Sequence, residues 1–386
     1  MNRRSRAAIL TVGTEITDGQ IVDRNSAWIS KRLTDAGVEV VEHRAVADDR
    51  IKIERSLRDL VMRVDSLFVT GGLGPTSDDF TRELLAKFCS RELVFDEDSW
   101  NHIETRFASR GLTAKPIQRQ QCFFPRDSRI LKNSAGTANA FSFDVEEGDR
   151  TVRIYALPGP PIEIATVWAE HLSSEIETLI PKADRDELLL IRTLGTGESA
   201  IAEIVETLIA GSSLRVGYRA HVPYVEVKLW YPSREKSAVT PILDAVERSL
   251  SPYIVNRGNE DLADVVISAV EKGRWLSIHD RATGGLLEER LRERWRSAEV
   301  RSSKGALSVT TDLVGVAQVT NREGFDLEIE VFEVEASKSW RLSLKKKGHD
   351  ARKLEVKATP LYNFGTDRGR RYLCERVFQE LASFGL

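Results

Sequence analysis

Residues 7–70 alternate apolar runs with helix-period segments, and that order admits few folds. Ala7-Ala8-Ile9-Leu10-Thr11-Val12 is almost continuously apolar and ends at Gly13, as a strand buried on both faces requires. Over 25–36 the apolar residues Trp28, Ile29, Leu33 and Ala36 fall on one helical face, with Asn25 placed to cap and Gly37 to stop the helix. A second strand is predicted over 38–41. A second helix follows over 51–64, with Ile53, Leu57, Leu60 and Val61 inward, and a third strand over 66–69. Strand–helix–strand–helix–strand with short links predicts a doubly wound α/β domain with a mostly parallel sheet and right-handed crossovers. Residues 151–157 read as a further strand. Pro158-Gly159-Pro160-Pro161 turns it into a helix over 162–172, in which Pro161 suits the first position.

Ligands bind such sheets beyond the carboxyl ends of the strands. Glu15 and Asp18 follow the first strand. Gly71-Gly72-Leu73-Gly74-Pro75-Thr76-Ser77-Asp78-Asp79 follows the third and leads into a helical period over 80–89. Glu163 stands in the first turn of the helix after the fourth strand. Glycines between a strand and a helix N-terminus leave bare backbone N–H groups, which bind phosphate. Carboxylates beside a phosphate repel it unless a cation lies between, so the stretch points to a phosphate and a hard divalent metal together. Against this stands a plainer reading: Asp78 and Asp79 cap the helix, and the glycines serve only the turn.

Composition narrows the rest. A chain of 386 residues with 41% hydrophobic and 30% charged residues is globular, with room for two or three domains. A net charge of −3 carries no basic excess, which argues against nucleic acid as the main partner. Cys89, Cys122 and Cys374 are odd in number and far apart, as reduced thiols are. The apolar patch behind the basic first residues is too short for a signal peptide, and no stretch reaches a membrane span. A soluble cytoplasmic protein is expected.

Residues 173–257 read as a small α+β domain. A strand is predicted over 188–194, a helix over 200–208, a strand pair over 214–218 and 225–231, and a helix over 241–250. Gly195-Thr196-Gly197-Glu198-Ser199 reads as a turn capped by Glu198 or Ser199 rather than a phosphate loop. Residues 258–386 read as an α/β domain: an amphipathic helix over 261–272, a strand over 275–278, a helix over 286–295, strands over 327–334 and 340–344, and a final helix over 370–384.

Several motifs in order resemble the CinA family: Thr11-Val12-Gly13-Thr14-Glu15, Gly19-Gln20-Ile21-Val22, Asn25, Thr70-Gly71-Gly72-Leu73-Gly74-Pro75-Thr76-Ser77-Asp78-Asp79, Gly136-Thr137 and Leu157-Pro158-Gly159-Pro160-Pro161-Ile162-Glu163. The resemblance implies a molybdopterin-binding-like domain over 1–172 that acts as a metal-dependent ADP-ribose pyrophosphatase, a KH-like domain over 173–257, and a deamidase-like domain over 258–386. It implies a homodimer and a nucleotide substrate. The motifs place Gly13, Thr14, Asn25, Thr70, Gly71, Gly72, Gly74, Thr76, Gly136, Thr137, Pro158 and Gly159 around that substrate. Asp78, Asp79 and Glu15 are the candidate catalytic acids. Asp78, Asp79 and Glu163 are the candidate ligands for magnesium, manganese or cobalt. Two departures stand out. Gly136-Thr137 continues with Ala138-Asn139-Ala140 where the family has Ala-Pro-Gly. In the last domain Asp280-Arg281-Ala282-Thr283-Gly284-Gly285 stands where the family's Glu-Ser-Cys-Thr-Gly-Gly carries a nucleophilic serine, and Arg281 has no hydroxyl to offer. The deamidase-like domain is therefore expected to be degenerate, with Thr283 a remote substitute nucleophile. The alternative to catalysis is a module that binds a pterin or nucleotide, or a scaffold.

Overall fold

Along the first strand, alternate side chains enter opposite cores. Ala7 and Ile9 pack with Ile29, Leu33, Phe68 and Tyr155. Ala8, Leu10 and Val12 pack with Ile53, Leu57, Leu67 and Val69. The computed structural model describes residues 5–181, 184–258, 260–272, 275–297, 306–311 and 326–383. The chain divides into two units, Met1–Arg185 and Asp186–Leu386.

The first unit opens with β1 (Arg6–Val12), α1 (Thr14–Thr17), α2 (Arg24–Asp35), β2 (Glu39–Val46), α3 (Arg50–Val61), β3 (Ser66–Thr70) and α4 (Thr81–Phe88). It continues through β4 (Leu93–Phe95), α5 (Glu97–Ala108), a 3₁₀ turn (Pro116–Cys122), β5 (Phe123–Pro125), β6 (Arg129–Leu131), β7 (Ala140–Glu147) and β8 (Arg150–Leu157). The helix α6 (Pro161–Val167) runs through a π turn (Trp168–Leu172) into α7 (Ser173–Thr178). The main sheet has the order β2-β1-β3-β8-β7-β6. Its first four strands are parallel; β7 pairs antiparallel with β8, and β6 pairs antiparallel with β7. A mostly parallel, doubly wound sheet is thus present. Helix α2 covers one face and α3 the other, so the strand order reverses between β1 and β3, where such a sheet forms its ligand crevice.

Three local readings change. Strand β2 runs to Val46 rather than ending at residue 41. It is the sheet edge, and beyond Val41 it carries Glu42, His43 and Arg44, which hides its second half from an apolar-run criterion. Asn25 lies inside α2 instead of capping it. The cap is Asp23, whose carboxylate accepts from Ser26 N at 2.9 Å. The hairpin of β7 and β8 was not read as a pair, because β7 begins with four buried residues, Ala140 to Phe143, and ends in an acidic half, Asp144 to Glu147, with no single strand pattern over its length.

The second unit holds two sheets. In the first, β9 (Asp186–Leu194), β10 (Arg215–His221), β11 (Tyr224–Pro232) and β12 (Ile254–Arg257) form an antiparallel sheet of order β10-β11-β9-β12. It is backed by α8 (Glu198–Ile209) and α9 (Lys236–Leu250). Gly197 precedes α8 with no side-chain cap, so neither Glu198 nor Ser199 caps that turn. In the second, α10 (Leu262–Glu271), β13 (Trp275–Arg281), α11 (Leu286–Ser297), β14 (Ala306–Thr311), β15 (Leu327–Val334), β16 (Ser339–Lys346), β17 (Arg352–Lys357) and α12 (Asp367–Ser383) follow in sequence. The strand order is β14-β13-β15-β16-β17. Phe384, the predicted end of the last helix, lies outside the described residues.

Candidate active site

The loops after β1, β3 and β8 are sewn together by backbone-directed bonds. Thr70 Oγ1 donates to the Pro158 carbonyl at 2.8 Å, and Gly71 N to the Leu157 carbonyl at 3.2 Å. Asn25 Nδ2 donates to the Gly159 carbonyl at 2.8 Å. The chain at Gly71 takes φ = 99°, a conformation that favours glycine. A Cβ there would strike the Val12 carbonyl oxygen. Glycine is what lets the end of β3 lie against the end of β1.

Between these loops opens a cleft of about 510 Å³. Of the residues expected from the sequence, Gly13, Glu15, Asn25, Thr70, Gly71, Gly72, Gly74, Asp78, Asp79, Thr137, Pro158, Gly159 and Glu163 line it. Thr14, Thr76 and Gly136 do not, and each instead supports a residue that does. Thr14 donates through N and Oγ1 to one oxygen of Asp48, at 2.8 and 2.9 Å. Thr76 N donates to Asp79 Oδ2 at 2.9 Å. Gly136 packs so closely on the Glu163 carboxylate that a Cβ would collide with it.

The aspartates do not cap α4. Its N-cap is Phe80, which makes no side-chain cap bond, and Asp79 is turned back onto Thr76. The Thr76 hydroxyl also holds the Asp78 carboxyl below its ordinary range. Gln120 Nε2 fixes the loop from the far side by donating to the Asp79 carbonyl at 2.8 Å. Arg82 is 2% exposed and donates to the Leu73 and Gln120 carbonyls. Burial lowers that guanidinium to about 10, against the opposing pull of Asp79 and Cys122. Within the loop, the N–H groups of Gly72, Leu73 and Gly74 have no acceptor among the described residues. Backbone donors seldom stay unpaired, so these three are available to a ligand.

Glu163 is held by Asn133 Nδ2 at 2.7 Å. The same Asn133 orders the 135–138 turn, accepting from Ala135 N and Gly136 N at 3.1 and 3.0 Å and donating to the Ala138 carbonyl at 2.9 Å. Asn139, where the sequence departs from the family, is 2% exposed. It accepts from Asn133 N and donates to Ser99 Oγ, both at 2.9 Å, so it braces Asn133, which holds Glu163.

Burial raises the Glu163 carboxyl above its ordinary range, with Asn133 and Arg106 opposing. A carboxyl whose folded pKa is raised binds its proton more tightly when folded. Ionised Glu163 therefore destabilises the unit at neutral pH, and that cost disappears as pH falls from the raised value through the ordinary range near ~4.3. Glu163→Gln in metal-free protein should melt above wild type at pH 7, with the gap closing below about pH 4. Thermal melts across pH check this.

Two lining residues escaped the sequence reading. Asp48 lies two residues beyond β2, at the carboxyl end of that strand, and would have been flagged had β2 been followed to Val46. Gln121 comes from the 3₁₀ turn, for which the sequence carries no periodic signal. With Asp48 the cleft holds five carboxylates: Glu15, Asp48, Asp78, Asp79 and Glu163. No Lys, Arg or His is among its described lining residues.

The five carboxylates suit a hard divalent cation in kind. Among the described residues, however, no three His, Cys, Asp or Glu side chains converge into a metal cage.

In the second unit, the Asp280 carboxylate is fully buried and accepts from Ala282 N at 3.1 Å, Thr283 N at 2.8 Å and the Thr283 hydroxyl. Thr283 is 1% exposed. Arg281 sits over the Phe332 ring, 5.5 Å from its centroid. The segment 280–285 is a closed structural turn, and its one hydroxyl is committed to it.

Residues 8–178 match the model of a probable molybdopterin binding domain. A CinA-like protein of Dictyoglomus turgidum is 32% identical over 293 residues, covering 74% of this chain and 70% of its own. The chain belongs to the CinA family. A putative competence-damage inducible protein of Caldicellulosiruptor saccharolyticus is likewise 32% identical over 289 residues, covering 73% of this CinA-family chain and 68% of its own. A crystal structure of CinA from Thermoplasma acidophilum is 31% identical, with a TM-score of 0.40, and covers 45% of this chain and 99% of that one. Among the described residues no helix is long and apolar enough to cross a membrane.

Proposed function

We propose that the first unit hydrolyses the pyrophosphate of ADP-ribose, or of a related nucleotide, with a divalent metal. The observation that carries this reading is the cleft's composition. Gly72, Leu73 and Gly74, whose backbone N–H groups have no acceptor among the described residues, line a cleft with five carboxylates and no cationic side chain among its described lining residues. Backbone donors offer a preorganised seat for phosphoryl oxygens. The surrounding negative charge would repel the same group, so a metal is needed as counter-ion. Asp78 and Asp79, with Glu15 or Glu163, are the residues to hold it. A bound divalent metal neutralises the pyrophosphate and lowers the pKa of an attacking water. The chain's own share is to orient the phosphates on Gly72–Gly74, to keep Asp79 turned inward through Thr76, and to supply a carboxylate as general base.

Purified protein with manganese should convert ADP-ribose to AMP and ribose 5-phosphate, and EDTA should stop it. No turnover with any of magnesium, manganese or cobalt would remove the reading. The scattered placement of the acids favours one second reading, a module that holds a pterin or nucleotide unchanged. It would appear as a ligand-induced rise in melting temperature without product.

The second unit carries no deamidase in this proposal, because Arg281 replaces the nucleophile and Asp280 occupies the Thr283 hydroxyl. Nicotinamide mononucleotide should release no ammonia with this protein, measured against a deamidase control. Ammonia release that Thr283→Val abolishes would contradict it.

A further inference from the structure

A second cavity, of about 500 Å³, is walled by Thr17 of α1, by residues 44–47 at the end of β2, and by α3. It shares no lining residue with the cleft. The helix contributes Lys52, Arg55, Ser56 and Asp59, whose spacing of three and four puts them on one face. The charges of this wall fall into two sets. Arg44 and Arg63 each pair with both Glu42 and Asp59, at 2.5–2.8 Å, so those four close on one another. The Lys52 ammonium and the Arg55 guanidinium have no partner among the described residues. Two positive charges therefore stand unneutralised in the cavity wall. Between them in sequence and space lies Ser56, which is only 5% exposed. Its hydroxyl keeps accessible surface and has no hydrogen-bond partner among the described residues.

We propose that this cavity binds the phosphate group of a small phosphate monoester, and does so without a metal. A monoester carries close to two negative charges at neutral pH and three acceptor oxygens. The wall answers with two cations and a hydroxyl. The guanidinium offers a fork of parallel N–H donors, the ammonium a point charge, and Ser56 a third donor. A carboxylate brings half the charge and one oxygen fewer, so it leaves one cation unanswered. The volume suits a small molecule rather than a bare ion. The cleft differs in kind: its five carboxylates require a cation before they accept a phosphate, whereas the cavity supplies its own positive charge.

The test is calorimetric titration of the full-length protein with ribose 5-phosphate in EDTA, at about pH 7.5, where the monoester is a dianion. Without metal the carboxylates of the cleft repel the same group, so the heat reports the cavity. Wild type should bind ribose 5-phosphate, more weakly as salt is raised, and should not bind ribose. Lys52→Ala and Arg55→Ala should each weaken binding about tenfold, and Ser56→Ala about threefold. Lys52 and Arg55 are exposed, so those two variants should melt within about 2 °C of wild type. Arg58→Ala is the control. Arg58 is on the same helix but outside the cavity, over the Phe88 ring at 5.9 Å from its centroid. Its loss should change affinity by less than about twofold. Wild type that binds no ribose 5-phosphate in EDTA would overturn the proposal. So would unchanged affinity in both Lys52→Ala and Arg55→Ala, which would put the ligand elsewhere. A loss at Arg58→Ala equal to that at Arg55→Ala would also overturn it, by reducing the effect to the general charge of the helix.

Discussion

Asp79→Asn should lower kcat for ADP-ribose by about 10²–10⁴ while leaving the melting temperature of the ligand-free protein nearly unchanged. The two halves of that expectation come from different parts of the side chain. One oxygen accepts from Thr76 N and Thr76 Oγ1 and so shapes the loop. Asparagine retains an oxygen that can do the same. What it loses is the negative charge, and with it the capacity to hold a metal or take a proton. If Asp79 served only the loop, the asparagine variant would keep its activity. If Asp79 carries the chemistry, activity disappears from a folded protein. Steady-state kinetics beside a thermal melt separate the two.

Gly71→Ala should be the most damaging small substitution in the first unit. The residue has φ = 99°, and the added methyl meets the Val12 carbonyl oxygen, which belongs to the backbone and cannot swing aside. The left-handed penalty and the overpacking together cost about 2–4 kcal/mol. For a unit of this size the first melting transition should fall by roughly 5–15 °C. Gly159→Ala is the control. It sits on the same rim, but its nearest atom to an added Cβ is Gly71 Cα at 3.9 Å, ordinary contact. That variant should melt within about 2 °C of wild type. Equal effects at the two glycines would mean that the β1–β3 approach does not depend on Gly71.

The fold of the first unit was legible where burial is two-sided. Ala7 to Leu10 and Leu67 to Val69 are wholly buried, so their apolar runs are continuous and easy to read. Strand β2 was half legible, because an edge strand carries Glu42, His43 and Arg44 without penalty. The pairing of β7 with β8 is local, closed by Gly148 and Asp149 between Glu147 and Arg150, and went unread because β7 itself was not recognised as a strand; the π turn at Trp168–Leu172 left no periodic signal. The site was legible to the extent that its residues follow strands. Glu15, Asp78, Asp79 and Glu163 do, and all four line the cleft. Asp48 went unread with the end of its strand. Gln121 could not be read at all, because a 3₁₀ turn brings it to the cleft. Thr14, Thr76 and Gly136 carry the motif but do not line the cleft; they contact Asp48, Asp79 and Glu163, which do, so motif residues include supports as well as contacts.

A manganese and ADP-ribose soak of crystals of the full-length protein tests the central claim most directly. The account predicts an anomalous manganese peak in the cleft, bound by a carboxylate of Asp78 or Asp79 and by pyrophosphate oxygens, with those oxygens on the N–H groups of Gly72 to Gly74. Ordered ADP-ribose in the cleft with no manganese against any of its five carboxylates, or ligand bound elsewhere on the chain, would contradict it.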